Sequence, residues 1–217
     1  MEGGHVSRFG RIGNKSSRVA GDVCSRFWRR VGTTFTLTLG LLCTAPGLSA
    51  AGDAVLWSAL RSGGHVALLR HAIAPGIGDP PEFTLRDCGT QRNLSDEGRD
   101  QAARIGARFR ANGIETARVF ASQWCRCLET ARLLELGPIE ELPILNSFFE
   151  HQERRDPQTQ ALKEWLASQD LNKPLVLVTH QVNITALTGV HLASGELVIV
   201  RRSEKGEITV AGSIETD

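Results

Sequence analysis

Apolar and polar positions along the chain repeat with two different periods, which predicts a regular alternation of strands and helices. Short apolar runs are typical of buried strands, whereas apolar residues three to four positions apart are typical of amphipathic helices. The predicted strands cover residues 65–70, 118–122, 141–145, 174–179, 196–202 and 207–211. The predicted helices cover residues 54–61, 95–111, 124–136, 156–169 and 182–188. This order favours an α/β fold, a three-layer α/β/α sandwich with a mainly parallel central sheet.

Capping residues and helix breakers predict where these elements begin and end. Ser95 is expected to cap the second helix, and Asp156 the fourth, with Pro157 at the first helical position. Residues 72–94 show neither period and contain several glycines and prolines, so they are predicted to form one long loop. A loop of that length inside a compact domain usually has a function.

The first 51 residues are predicted to be a signal peptide and leader rather than part of the fold. Arg29 and Arg30 precede an uncharged apolar run at 31–43, which is followed by small residues at 44–51. The run is shorter than the roughly 20 residues that a membrane-spanning helix needs. We therefore expect a folded domain at 52–217 that is periplasmic or secreted and has no stable membrane span after cleavage. An uncleaved anchor is the alternative.

Composition and charge exclude several classes of protein. The chain is 41% hydrophobic and 23% charged, which is typical of a globular domain and excludes wholesale disorder. Seven of the 25 basic residues and two of the 24 acidic residues precede position 51, so the remainder has a net charge of −4. A mildly acidic body has no basic surface for nucleic acid, and no nucleic-acid partner is expected.

Three of the five cysteines remain after removal of the leader. Cys125 and Cys127 lie two positions apart on a predicted helix and face different sides, so they are not expected to pair with each other. In an oxidising compartment Cys88 can pair with either of them, and three buried thiols are the alternative. A fourth ligand at a zinc-binding spacing is missing, so no metal site is predicted.

Histidines and arginines fall at the ends of three predicted strands. His71 follows Arg70 after the first strand, His180 follows the most apolar strand, and Arg126 opens the helix after the second strand. The carboxyl ends of parallel strands meet at one edge of a sheet, where ligands bind. Paired arginine N–H groups suit a tetrahedral oxyanion, and a neutral imidazole is a nucleophile. The four residues therefore predict transfer of a phosphoryl group to a histidine.

These segments resemble the three signatures of the histidine phosphatase superfamily, whose fold is phosphoglycerate mutase-like. The signatures are Leu-Arg-His-Ala at 69–72, Ala-Ser-Gln-Trp-Cys-Arg-Cys-Leu-Glu-Thr-Ala at 121–131, and Val-Thr-His at 178–180. The resemblance covers about residues 65–211. It implies that His71 becomes phosphorylated, that Arg70, Arg126 and His180 bind the phosphoryl oxygens, and that neither a metal nor a cofactor is needed.

The general acid is the part of the site that departs from the resemblance. Ser147 lies where the mutase branch carries a glutamate, and serine cannot donate a proton at neutral pH. Glu150, a few residues further on, is the candidate proton donor. Asp79 and Glu82 in the long loop are its competitors.

The favoured function is an exported, metal-independent phosphomonoesterase. The compact length and the leader are similar to those of the small exported branch that includes the phosphatase of lipopolysaccharide core heptose phosphate. This similarity suggests a small phosphorylated substrate such as a cell-envelope sugar phosphate. A catalytically weak phosphate-binding or regulatory module and a protein-phosphohistidine phosphatase are the alternatives. Ser147 and the short body disfavour a sugar-phosphate mutase.

Overall fold

The computed structural model describes the backbone of residues 48–216 and the side chains of residues 52–216. The helices of this part are α1 (Leu48–Ser62), α2 (Asp96–Ala111), α3 (Cys125–Leu134), α4 (Arg155–Ser168) and α5 (Gln181–Thr188). The strands are β1 (His65–Arg70), β2 (Arg118–Ala121), β3 (Ile139–Glu141), β4 (Leu175–Thr179), β5 (Leu197–Arg202) and β6 (Ile208–Ile214). Short 3₁₀ turns lie at Cys88–Thr90, Pro143–Leu145 and Gln152–Arg154.

The strands form one six-stranded sheet in the order β3-β2-β4-β1-β5-β6. The first four in this order are mutually parallel, and β5 and β6 add an antiparallel edge. Parallel neighbours need crossover helices, and these cover both faces of the sheet. The predicted α/β sandwich with a mainly parallel sheet is therefore confirmed.

Side chains alternate along the strands and build one apolar core on each face of the sheet. In β1, Ala67 and Leu69 join a core with Phe109 of α2, whereas Val66 and Leu68 join a second core with helices α4 and α5. Because both faces are buried, the central strands are almost continuously apolar in sequence. Only the strand ends are left for polar side chains, and Arg70, His71 and His180 lie there.

The loop after β1 is held against the N-terminus of α2. Ser95 caps that helix as predicted, accepting a hydrogen bond from the Gly98 backbone N–H at 3.1 Å. A Cβ atom at Gly98 would overlap the Ile73 carbonyl oxygen, so only glycine permits this close approach. The long loop predicted at 72–94 thus starts and ends at fixed points beside the sheet edge.

The short strand predicted at 141–145 is wrong. The strand lies earlier, at Ile139–Glu141, and Pro143–Leu145 forms a 3₁₀ turn. Pro143 has no backbone N–H and cannot donate to a strand ladder, which ends the pairing with β2.

The predicted start of the fourth helix is also wrong. Asp156 does not cap α4, because Arg154 is the residue before its first helical position and the 3₁₀ turn Gln152–Arg154 leads into it. Pro157 is the third helical residue rather than the first. It is tolerated there because the first four N–H groups of a helix have no intrahelical acceptor.

Most of the predicted leader lies outside the described residues. Only its last four positions fall inside, and they form the beginning of α1, which therefore starts before the predicted residue 54. Within residues 48–216 no helix has both the length and the apolarity to cross a membrane.

Candidate active site

Neighbouring strand ends carry the two histidines. Arg70 pairs with Thr179 in the parallel β1–β4 ladder, so His71 and His180 each follow the carboxyl end of a strand. The His71 backbone N–H donates to the Thr179 carbonyl at 3.0 Å, and the imidazole centroids lie 5.5 Å apart. Arg126, in the first turn of α3, reaches the same place. The four side chains line one cavity of about 640 Å³, so the structure brings together residues from three strand ends.

His71 is buried and held in a single tautomer. Its Nδ1 lies 2.8 Å from the Ala72 carbonyl oxygen, which can only accept, so Nδ1 carries the proton and Nε2 carries the lone pair. Burial and the positive charge of Arg126 lower the pKa of His71 to about 3. The imidazole is therefore neutral at pH 7, with Nε2 available as a nucleophile.

His180 is also neutral. Burial, followed by the charge of Arg126, lowers the pKa of His180 well below its usual range. Its Nδ1 lies 3.5 Å from Arg126 Nη2, a donor, and its Nε2 lies 2.8 Å from Ser122 Oγ. Nδ1 therefore accepts, and Nε2–H donates to Ser122. The positive charge of the site comes from its arginines.

Arg92 is a further site residue, and sequence reasoning missed it. It lies at the end of the long loop and lines the same cavity as Arg70. Its Nε donates to the Gly78 carbonyl at 2.7 Å, and its Nη1 donates to the Ala74 carbonyl. Its position could have indicated a role in the site, because Arg92 lies just before the cap of α2, where the loop must return to the edge of the sheet.

Arg70 is tethered to the segment that follows α5. Its Nη1 donates to the Leu192 carbonyl at 2.7 Å, and its Nε is buried without a hydrogen-bond partner. An unpaired buried donor costs free energy, so an acceptor supplied by a bound anion would be favourable here. This geometry suits the expected contact with a phosphoryl oxygen.

Arg126 forms a bidentate ion pair with Asp79. Nη1 and Nη2 lie 2.7 and 3.1 Å from the two carboxylate oxygens, and both side chains are almost fully buried. Nη1 also donates to the Arg92 carbonyl at 3.2 Å, and Nη2 approaches His180 Nδ1 at 3.5 Å. All four terminal N–H groups of Arg126 are thus engaged. A phosphoryl group can bind them only by exchanging with one of these partners.

Asp79 is not suited to be the general acid. Burial acts to raise its pKa, but the hydrogen bonds and the charge of Arg126, with a hydrogen bond from Trp124, outweigh burial and lower the pKa. The carboxylate therefore stays ionised at neutral pH. Glu82, the other competitor, is exposed and is not among the residues that line the cavity.

Glu150 lies in the wall of the cavity, as does Ser147. Glu150 is exposed to solvent, and its Oε1 would be 3.3 Å from a Cβ atom built on Gly78, which places it opposite the long loop. Among the described residues that line the cavity, Glu150 is the only carboxylic acid besides Asp79. It is therefore the remaining candidate for the proton donor.

A disulfide ties the long loop to α3. Cys88 pairs with Cys125, which selects one of the two pairings that the sequence left open. Cys125 directly precedes Arg126, so the link fixes the loop that carries Asp79 and Arg92 next to the arginine they contact. Cys127 is a buried free thiol whose pKa burial raises to about 12, so it stays protonated. Among the described residues no cluster of metal-ligating side chains is found.

The low pKa of His71 predicts a pH-dependent stability. In the unfolded chain His71 takes up a proton as the pH falls through the usual histidine pKa of about 6.5. In the folded protein its pKa is about 3, so the ring stays neutral until the pH approaches that value. Between these two pKa values the unfolded state binds more protons than the folded state. The contribution of His71 to the free energy of unfolding is therefore fully present above pH 6.5 and is lost as the pH falls towards 3. The expected loss from His71 between pH 7 and pH 5 is about 2 kcal/mol.

Urea unfolding at the two pH values measures this loss. The difference in the free energy of unfolding between pH 7 and pH 5 should be smaller by about 2 kcal/mol in His71→Gln than in the wild type. His191→Gln, which changes an exposed histidine, is the control and should keep the wild-type difference. An unchanged difference in His71→Gln would mean that His71 is protonated in the folded protein.

Comparison with known proteins supports the family and the fold. Residues 67–151 match the model of the histidine phosphatase superfamily (branch 1), a segment of less than half of the chain that contains Arg70, His71, Arg126 and Glu150. A search of curated proteins gave no match.

Solved structures of the same fold include phosphatases. The protein histidine phosphatase SixA, complexed with tungstate, has 17% sequence identity and a TM-score of 0.52, covering 70% of this chain and 97% of its own. Phosphoserine phosphatase from Entamoeba histolytica, in complex with 3-phosphoglyceric acid, has 13% identity and a TM-score of 0.52, covering 70% and 98%. At these identities the likeness shows the fold alone, which is phosphoglycerate mutase-like.

Proposed function

The chain carries the sequence match and the fold of the histidine phosphatase superfamily, and from this premise we propose that it is an exported phosphatase that hydrolyses a phosphomonoester through a phosphohistidine on His71. The observation that supports this most strongly is the state of His71. It is neutral, its Nδ1–H is fixed by Ala72, and its Nε2 lone pair lies in a cavity whose lining includes Arg70, Arg92 and Arg126.

In the first step, His71 Nε2 attacks the phosphorus atom. The new P–N bond forms as the bond between phosphorus and the leaving oxygen breaks, and Glu150 donates a proton to that oxygen. Arg70, Arg92 and Arg126 stabilise the charge that spreads over the phosphoryl oxygens in the transition state. The Ala72 carbonyl accepts from Nδ1–H, which stabilises the positive charge that develops on the imidazole.

In the second step, water attacks the phosphohistidine. Glu150, now ionised, takes a proton from the water as the new P–O bond forms, and the P–N bond breaks to return the electron pair to Nε2. Inorganic phosphate is released, His71 is again neutral, and the proton taken from water replaces the one that Glu150 donated in the first step. Protons and charges balance over the cycle without a metal ion.

A phosphate-binding module with little turnover is the second candidate. It is favoured by Ser147 at the position of the mutase glutamate and by the exposure of Glu150, because binding phosphate needs the arginines but no proton donor. Such a module would bind inorganic phosphate without hydrolysing esters. The natural substrate within the phosphatase proposal is a small phosphomonoester, and cell-envelope sugar phosphates and protein phosphohistidine belong in the first screen.

Hydrolysis of p-nitrophenyl phosphate by the purified protein tests the proposed activity. We expect turnover that is unchanged in EDTA, because arginines supply the positive charge that a metal would otherwise provide. Loss of activity in EDTA that added zinc or magnesium restores would contradict the metal-independent mechanism. Binding of phosphate with no turnover would favour the phosphate-binding module instead.

Export is a separate part of the proposal. The apolar run at 31–43 followed by small residues supports cleavage near Ala50 or Ala51. Mass spectrometry of the protein recovered from the periplasm or the medium should show an N-terminus close to Gly52 or Asp53. An intact leader on a membrane-bound protein would contradict cleavage.

A further inference from the structure

The cavity extends well beyond the place where a phosphoryl group would bind. Its volume of about 640 Å³ is within the range of sites that hold whole small molecules, roughly 300–1,000 Å³. Besides the arginines and polar side chains such as His151 and His191, the wall contains a set of apolar and aromatic residues. The side chains that form this apolar wall are Ile77, Phe83, Leu85, Trp124, Phe148 and Phe149.

Two stacked aromatic rings, those of Trp124 and Phe83, form an aromatic surface beside the phosphoryl site. Trp124 packs edge-on against His180, with ring centroids 5.3 Å apart, and Phe83 stacks on Trp124 at 5.0 Å with an interplanar angle of 21°. The indole N–H of Trp124 donates to Asp79 at 3.0 Å, which fixes the orientation of the ring. The surface is therefore ordered before a ligand arrives.

Apolar side chains are exposed at the mouth of the same cavity. Among the described residues, four large hydrophobic side chains are exposed. Two of them line this cavity: Ile77, with 88% of its surface exposed, and Phe149, with 49%. Single exposed hydrophobic residues are common, but their concentration around one concave site marks a binding surface. Both would lose contact with water when an apolar ligand binds.

Four neutral polar side chains of the wall, Asn146, Gln152, Gln181 and Thr185, are already engaged in hydrogen bonds within the protein. Asn146 Oδ1 accepts from Ser122 Oγ and the Gln123 backbone N–H, and its Nδ2 donates to the Gln123 side chain. The Gln152 amide nitrogen donates to two backbone carbonyls at 3.2 and 2.8 Å.

The polar side chains of α5 that line the cavity are also engaged in hydrogen bonds within the protein. Gln181 is bonded through its nitrogen to Thr185 Oγ1 and through its oxygen to the Leu192 N–H, and the Thr185 hydroxyl donates to the Val190 carbonyl. A site that selects a sugar needs free partners for several hydroxyl groups, because buried hydroxyl groups without partners cost free energy. These four side chains do not provide them.

We propose that the cavity takes the phosphomonoester of an apolar alcohol, with the phosphoryl group on the arginines and the apolar body along the Trp124–Phe83 surface towards Ile77 and Phe149. This inference rests on the proposed phosphatase function. It deepens that function by naming the chemical class of the leaving group, which is aromatic or long-chain aliphatic rather than a sugar.

A series of esters of primary alcohols tests the proposal, because their leaving groups have similar intrinsic reactivity. The series comprises butyl, hexyl, octyl and benzyl phosphate, with glycerol 3-phosphate and glucose 6-phosphate as polar members. We expect kcat/KM to rise about three- to fourfold for each methylene that the apolar wall covers, since each buried methylene contributes about 0.8 kcal/mol. A higher kcat/KM for benzyl phosphate than for hexyl phosphate would indicate an aromatic alcohol, and the reverse order would indicate an aliphatic one.

Variants at the mouth connect this selectivity to the wall. The double variant Ile77→Ser/Phe149→Ser should lower the ratio of kcat/KM for octyl phosphate to that for glycerol 3-phosphate by about tenfold. Both positions are exposed, so the fold is expected to persist. Val210→Ser, which changes an exposed apolar residue of β6 that does not line the cavity, should leave the ratio unchanged.

The result for p-nitrophenyl phosphate distinguishes failure of the apolar leaving group from failure of the phosphatase function itself. Wild-type turnover of that ester with no dependence on alkyl chain length, or with glucose 6-phosphate preferred over hexyl phosphate, would overturn the apolar leaving group and leave the phosphatase function intact. Absence of turnover on p-nitrophenyl phosphate and on every member of the series would overturn both.

Discussion

His71→Ala is expected to reduce turnover of p-nitrophenyl phosphate by about 10⁴-fold or more, the order of loss that follows removal of a catalytic nucleophile. The reason is the position of His71 Nε2, which carries the only lone pair of the ring once Nδ1–H is bound to the Ala72 carbonyl. His180 cannot replace it, because Ser122 and Arg126 engage both of its nitrogens. Initial rates of the purified variant measure the loss.

His65→Gln is the matched control for this variant. His65 lies at the opposite end of β1, where its Nδ1 is 2.9 Å from the Gly63 carbonyl oxygen. It should keep near wild-type turnover, while circular dichroism shows that both variants are folded. A folded His71→Ala protein with more than a few per cent of wild-type activity would rule out covalent catalysis on this residue.

Glu150→Gln is expected to slow the hydrolysis of alkyl phosphates by roughly 10²–10⁴-fold, the range of general acid catalysis. An alkoxide leaving group needs a proton, whereas p-nitrophenolate is a stable anion and hardly does. The same substitution should therefore leave kcat/KM for p-nitrophenyl phosphate nearly unaffected, because kcat/KM reports the formation of the phosphohistidine and not the later attack of water, in which Glu150 also takes part. Steady-state kinetics with octyl and p-nitrophenyl phosphate measure the difference.

Two further variants complete this test. Arg126→Ala should slow both substrates alike, because Arg126 binds the phosphoryl group whichever group leaves. Glu153→Gln, three residues from Glu150 and exposed but not lining the cavity, should slow neither. Equal losses on both substrates in Glu150→Gln would show a binding or structural role. No loss on either substrate would exclude Glu150 as the proton donor.

Much of the fold follows from local sequence signals. The buried strands β1 and β4 are continuous apolar runs, and the serine that caps α2 ends the long loop where expected. The errors lie where local signals compete. Pro143 interrupts a segment with strand-like apolar residues, and Asp156 with Pro157 imitates the start of a helix that a preceding 3₁₀ turn has already begun.

The candidate site was predictable as far as topology places residues. Parallel strands bring His71 and His180 to one edge of the sheet, which the order of elements alone implies. The pairing of Asp79 with Arg126 was not predictable, because the two residues are 47 positions apart and the contact depends on the path of an irregular loop. For the same reason the sequence could not choose between Cys125 and Cys127 as the partner of Cys88, nor identify Arg92.

The phosphoenzyme is the species that tests the mechanism most directly. A rapid-quench experiment mixes the full protein with substrate labelled in the phosphoryl group and stops the reaction in alkali, where phosphohistidine persists. We predict label bound to the protein within the first turnover, lost on acidification, and located by peptide mapping on His71. Label on another residue, a bond that survives acid, or steady hydrolysis with no labelled protein at any time would contradict a phosphohistidine intermediate on His71.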